Sequence, residues 1–505
     1  MNMLLNSMKN VSNYTRTENG AITHKTTQSA LLDMFAMGGA MRQRSIGDVT
    51  LMFKKAYQEN PKYALKCLFY LRDIRGGQGE RRFFRECMKW LAKNDAAAAR
   101  RNLQYVAEFG RWDDLYCFVG TSLERDAFKI MKEQFILDLN CKTPSLLAKW
   151  LHSENATSEE NAKLGALTCQ HFGYSPRQYR KHLSTLRERI RVLERLMSQN
   201  RWNEIEFDKI PSKAGLKYKN AFARRDIIKA KYEKFAKSEN TKVNAGTLYP
   251  YEVVEKAINL MGSRSYWVYS NNKNISLDNT DRLMINKYWE NLTDYFNSSN
   301  LNALCMVDTS GSMYGTPINV ATSLGLYCAE KAGGPFANHY ISFSSRPQLI
   351  ECEGVDFCDK VDRIVRTNLC ENTNIEAAFD MLLNTAKSNR LSQDELPNTI
   401  IVISDMEFDL ATWQHHSHSM RRGTEDAETL MEGIARKWRA NGYEVPHLIY
   451  WNVDARQNNI PMLGVGRVSF VSGFSPSIFQ SIVSGKTGYD LMLETLEKDR
   501  YKVIQ

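Results

Sequence analysis

The segment Asp308-Thr309-Ser310-Gly311-Ser312 sets one carboxylate and two hydroxyls at alternate positions, and Gly311 lets the backbone bend tightly around a small ion. Further along, Thr373 stands within Asn372-Thr373-Asn374, and Asp405 follows Ser404 at the end of the apolar run Thr399 to Ile403. The donors are all hard oxygens, with no Cys or His among them, which selects Mg²⁺ or Mn²⁺ over zinc or copper. Mg²⁺ keeps several waters when protein-bound, so few side chains suffice and one coordination position can stay open for an acidic ligand.

Those residues need a scaffold that delivers them to one edge. Ala303–Val307, Tyr340–Phe343, Thr399–Ile403, Leu448–Trp451 and Val468–Val471 read as short buried strands, separated by helical stretches over Ile318–Lys331, Ile375–Lys387 and Thr424–Asn441. Strands alternating with helices predict a mainly parallel, Rossmann-like sheet covered on both faces. Ligands of such sheets bind beyond the carboxyl ends of the strands, where Asp308, Thr373 and Asp405 would all surface.

Asp308-x-Ser310-x-Ser312 with the later Thr373 and Asp405 resembles the metal-ion-dependent adhesion site of von Willebrand factor A domains. The resemblance implies that Asp308, Ser310, Ser312 and Thr373 arrange a Mg²⁺ (or Mn²⁺) ion directly or through water, with Asp405 acting through water. A helical half followed by such a domain is similar in layout to Ro ribonucleoproteins, whose TROVE module is a ring of HEAT repeats. Leu71-Arg-Asp-Ile-Arg-Gly-Gly-Gln-Gly-Glu-Arg81, Ile210-Pro-Ser-Lys213, Asn244-Ala-Gly-Thr-Leu-Tyr-Pro250, Ser404-Asp-Met-Glu-Phe-Asp409 and Val471-Ser-Gly-Phe474 resemble more closely an uncharacterised Ro-like family of viruses, bacteria and plants.

The 505 residues carry 67 Lys+Arg against 57 Asp+Glu, a net charge of +10 that conceals a division. Residues 1–300 hold 49 Lys+Arg and 32 Asp+Glu, or +17; residues 301–505 hold 18 and 25, or −7. From about Ser29 to Asn240 the apolar residues recur at helical spacing, without an exact repeat at a fixed period. The expected organisation is a tail over 1–28, a helical HEAT-like solenoid of TROVE type over 29–298, and a von Willebrand A-like domain over 299–505, so the fold class is α + α/β.

Arg177 to Lys242 is the densest basic stretch, with 19 Lys+Arg against 8 Asp+Glu. Cations there neutralise phosphates and interleaved aromatics stack bases, which suits RNA; an amphipathic helix with a basic solvent face has the same composition. The RNA-binding candidates are Arg180, Lys181, His182, Arg187, Lys213, Lys217, Lys219, Arg224 and Arg225. Arg72 and Arg75 join them, since they flank the Gly76-Gly77-Gln78-Gly79 turn, which reads either as a phosphate-holding nest or as a helix C-cap.

Ser484-Gly485-Lys486-Thr487 lacks the earlier glycine and the leading strand of a P-loop, and His415-His416-Ser417-His418 reads as a polar loop. No nucleophile and base stand at catalytic spacing. No apolar run reaches the 18 or so residues a spanning helix needs, and ten scattered cysteines form no C-x-x-C pair. The sequence therefore predicts a cytoplasmic, non-enzymatic RNA-binding scaffold that docks an acidic protein ligand at its metal site and needs no membrane. A metal-dependent protein adaptor without RNA is the competing expectation.

Overall fold

The computed structural model describes residues 12–238, 243–246, 248–260, 279–296, 301–343, 346–367, 373–410, 428–463 and 467–505. Asn372 and His415–His418, singled out in the sequence, lie outside the described residues. Two compact units emerge, one made of 1–67 and 248–498, the other of 68–247 and 499–505.

The first unit begins with a small antiparallel hairpin, β1 (Tyr14–Arg16) and β2 (Ile22–His24). Its main sheet follows as β3 (Ala303–Asp308), β4 (His339–Phe343), β5 (Gln348–Glu351), β6 (Thr399–Ser404), β7 (His447–Asn452) and β8 (Val468–Ser472). The spatial order is β5-β4-β3-β6-β7-β8, with every pair parallel except β4 and β5. The strands of the sequence reading are present, and the antiparallel edge strand β5 is an addition it lacked. β3, β6, β7 and β8 are buried at every residue, as strands covered on both faces must be.

Covering helices come from three parts of the chain. Thr316–Lys331 lies against β3, where a Cβ added to Gly325 would come within 2.5 Å of Val307 Cγ2; a bare α-carbon permits that approach. Ala30–Met37 packs on β8, and Ser472 Oγ ties it down by donating to Phe35 O and accepting from Gly39 N. Pro250–Leu260 packs against Thr316–Lys331, and Asn279–Glu290 against Phe357–Thr367. The compact units thus cut the chain elsewhere than the expected division at 298/299. A parallel sheet needs apolar helix faces on both sides, and buried Leu31, Met34, Phe35, Val253 and Val254 supply part of them. Nor are residues 12–28 a tail, since they form the β1–β2 hairpin and the approach to Ala30–Met37.

The second unit is helical. Ser175 caps Pro176–Arg189 in a reciprocal arrangement with Gln178, and Gly173, at φ 74°, closes Glu159–Phe172 in the left-handed conformation. Phe69, Phe84, Phe109 and Tyr501 form one aromatic core, while Phe135, Phe172 and Tyr179 form another. Its helices run from four to seventeen residues with 3₁₀ turns between them, so they do not present a uniform repeated pair. The unit holds 37 Lys+Arg against 23 Asp+Glu, a net +14, leaving the other unit with 30 and 34, or −4. No helix among the described residues is long and apolar enough to cross a membrane.

Candidate metal centre and nucleic-acid interface

β3 lies between β4 and β6, so the chain leaves it at the point where the strand order reverses. Its parallel register with β6 pairs Val307 with Ile403, which brings Asp308 and the Ser404-Asp405 step to the same edge. Asp308 is fully buried. Its Oδ1 accepts from Ser310 N at 2.9 Å and its Oδ2 from Ser404 Oγ at 2.5 Å. Ser310 begins the 3₁₀ turn Gly311–Met313, which sets its Oγ 3.0 Å from Ser312 Oγ. Ser312 is half-buried, whereas Gly311, Tyr314 and Thr316 are exposed, so the site opens to solvent on this side.

Asp405 is buried as well. Met406 then takes a left-handed φ of 66°, which folds the chain back so that Glu407 N donates to Asp405 Oδ1 at 3.1 Å. Asp405 Oδ2 accepts from Arg456 Nη2 at 2.8 Å. Thr373 is buried beside the following segment: its carbonyl accepts from Asp409 N, and Asn19 Nδ2 reaches both Thr373 Oγ1 (3.4 Å) and Glu407 O (2.6 Å). The structure therefore joins Asp308, Ser310 and Ser312 with Ser404 and sets Asp405 close enough for its charge to act on Asp308. Thr373 is linked to this group through Asn19 and the 407–409 segment.

Several participants were not among the site residues chosen from the sequence. Ser404 couples the two strand ends. The turn after β1 forms a wall, with Thr17 Oγ1 donating to Phe408 O and Glu18 N to Glu407 Oε2. Arg456, on the loop after β7, bridges Asp405 to Glu18 Oε2 at 3.0 Å. Long-range pairing alone assembles these groups, and no local spacing encodes it.

Burial, then the charge of Asp405, pushes the Asp308 carboxyl up to about 7. The same two causes raise Asp454 to about 6, and burial raises Glu407 to about 7 against the hydrogen bond from Glu18 N. Carboxylates crowded in this way favour a cation among them. Asp308 with the Ser310 and Ser312 hydroxyls is a hard-oxygen group of the kind that suits Mg²⁺ or Mn²⁺, with Asp405 and Thr373 on the neighbouring segments. Among the described residues no group of three or more His, Cys, Asp or Glu is arranged to hold a metal, so such an ion would depend on these hydroxyls.

On the helical unit the RNA candidates separate into two groups. Arg72 is buried, its guanidinium paired with the equally buried Asp114 at 2.6 Å, and it cannot reach a phosphate. Arg187 donates to Ala148 O, Leu151 O and Ser153 Oγ, and Lys219 is 4% exposed. Arg180 pairs with Glu154, Arg75 donates to Glu108 O, and His182 is half-buried against Tyr174. For Arg187, Lys219 and His182 these are structural duties, because a buried or half-buried cation must find acceptors, whereas Arg75 and Arg180 are exposed and keep only these single partners at the surface.

The Gly76–Gly79 turn is a C-cap rather than a phosphate nest. Its amides at Gln78, Gly79 and Glu80 donate to Tyr70, Asp73 and Leu71 carbonyls, and a Cβ on Gly77 would collide with Tyr70 O. The motif instead clasps the C-terminal residues, since Asp73 takes Arg500 and the Tyr501 hydroxyl. Lys181, Lys213, Lys217, Arg224 and Arg225 remain exposed, with Lys217 over the Tyr218 ring at 4.9 Å and Arg225 over Trp202 at 5.1 Å. Exposed Lys229, Lys234 and Lys237 on Asp226–Lys237 extend this surface beyond the residues the sequence reading chose.

Residues 302–502 match a domain of unknown function, DUF7788. Over 534 aligned residues the chain is 28% identical to the uncharacterized protein L728 of Acanthamoeba polyphaga mimivirus, covering 96% of this chain and 88% of that protein. A crystal structure of the Deinococcus radiodurans RO (RSR) protein superposes with a TM-score of 0.48 at 13% identity, covering 93% of this chain and 99% of that one. The domain of unknown function DUF2828 matches residues 17–166 and 145–300, more than half of the sequence, and the chain belongs to that family.

Proposed function

We propose that this protein is a non-enzymatic RNA-binding scaffold of Ro-like layout, whose helical unit holds RNA and whose α/β unit docks an acidic ligand at a von Willebrand A-type cation site. The observation that carries the RNA half is the exposed basic surface of Ser212–Arg224 and Asp226–Lys237 on a unit of net charge +14, with the half-buried Tyr218 alongside. A surface of exposed cations suits a phosphate backbone.

At the other unit, Asp308, Ser310 and Ser312 would hold Mg²⁺ (or Mn²⁺), with Thr373 and Asp405 supporting it. The bound cation supplies an open electrophilic position for an anionic ligand. Ser404 and Ser310 N hold the Asp308 carboxylate in place, and the exposed Tyr314, at 59%, offers a contact beside the opening.

Filter binding of structured RNA at 50 and 200 mM salt tests the first half. With about six phosphate contacts the affinity should fall roughly 10³-fold between the two. Absent affinity, or affinity indifferent to salt, removes the RNA reading. In that case partners that survive nuclease treatment but are lost with Asp308→Ala would make the protein a metal-dependent adaptor. Hydrolysis of RNA that requires Asp405 would overturn the non-enzymatic reading.

A further inference from the structure

Arg456 sits among acids. Its Nη2 donates to Asp405 at 2.8 Å, its Nη1 meets Glu18 at 3.0 Å, and the charges of Glu407 and Asp454 also act on it or on Asp405. Its Nε is buried with no hydrogen-bond partner, so the guanidinium is held by charge more than by a completed hydrogen-bond fork. The loop that carries it is fixed before Arg456 by Val453 N donating to Ser404 O and Ala455 N to Ala40 O, and after it by Ile460 N donating to His24 O, so the position belongs to the fold. Both Asp405 oxygens are engaged, one by Glu407 N and the other by Arg456.

We infer that Arg456 is a built-in counter-ion of the cation site, a positioning residue that keeps Asp405 engaged from the far side and lowers the affinity of the site for a divalent cation. The inference rests on the cation-site reading above. A guanidinium bound to one of the site's two carboxylates repels an incoming double charge and takes up part of the field that would attract it. Glu18, reaching in from the β1–β2 turn, holds the guanidinium in this place.

The full-length protein is titrated with Mn²⁺ alone, and free Mn²⁺ is followed by its paramagnetic resonance signal. Arg456→Gln should bind Mn²⁺ about tenfold more tightly than the wild type, because a full charge close to the cation is removed. Arg456→Lys, which keeps the charge, should stay within about twofold of the wild type. Arg456→Gln combined with Asp454→Asn removes one charge of each sign, so it guards against loss of folding and should lie between the two. Equal or weaker binding by Arg456→Gln, with wild-type binding intact and lost in Asp308→Asn, overturns the role of Arg456 and leaves the cation site standing. Failure of every variant to bind Mn²⁺, or equal binding by Asp308→Asn and wild type, overturns both.

Discussion

Arg72 and Asp114 in the helical unit, and Asp308 and Asp405 in the α/β unit, are two sets of buried charges that ended with opposite balances. In the first, Asp113 and Asp114 are surrounded by Arg72, Arg85 and Arg111 at 2.6 to 2.9 Å, so each carboxylate has its guanidinium within the fold. In the second, Asp308, Asp405, Glu407, Asp454 and Glu18 gather around Arg456 alone among the described residues. Carboxylates whose oxygens are filled by guanidiniums are structural, whereas carboxylates that outnumber their guanidinium are prepared for a cation from outside.

The contrast breaks most visibly under truncation. Arg72→Ala should cost about 3–5 kcal/mol in urea denaturation of the helical unit, since it leaves Asp114 buried with one partner fewer. Added Mg²⁺ should not restore it. A cost below about 1 kcal/mol would mean that Arg85 alone satisfies Asp114.

A smaller effect is expected at the other cluster. Mg²⁺ at a hundred times its dissociation constant should stabilise the wild type by about 2.7 kcal/mol, and Asp308→Asn should abolish the gain. An equal gain in both proteins would place the cation elsewhere.

The sign with pH separates the clusters further. Asp308, raised to about 7 when folded, keeps a proton that the unfolded chain has released above the ordinary carboxylate value of 3.8. Its contribution is therefore full at low pH and is lost as the pH rises from about 4 to 7 in the absence of metal. Stability measured against pH for wild type and Asp308→Asn should diverge across that window, with the wild type falling as pH rises. Parallel curves would show that the buried carboxylates are relieved by groups already in the chain.

The smallest effect should be on folding and yet plain in binding. Arg224→Glu with Arg225→Glu should leave stability nearly unchanged while lowering RNA affinity and reducing the salt slope by about 2. Arg187, whose guanidinium holds three acceptors of the unit itself, should show the reverse pattern.

Legibility followed the range of the interactions. β3, β6, β7 and β8 could be read because a strand buried on both faces is apolar nearly throughout, and Asp308 and Asp405 because one ends such a strand and the other directly follows one. Edge strand β5, alternating and mostly exposed, gave no comparable signal. Arg72 and Arg224 were indistinguishable as letters, since burial depends on which residues lie across the unit. The expected boundary near 298 followed charge and period, and neither registers that Ala30–Met37 and Pro250–Leu260 cover a sheet formed by later residues.

By itself, then, the sequence determined the buried strands of the main sheet, their polar ends and the excess of basic residues, because hydrophobic periodicity and side-chain chemistry are local properties. The tertiary structure decided which charges are neutralised within the protein. Asp73 found Arg500, Asp114 found Arg72, and Asp405 found Arg456, each across tens to hundreds of residues. A charge taken out of water must meet its partner in space, and that meeting is fixed only when the sheet and helices close around it.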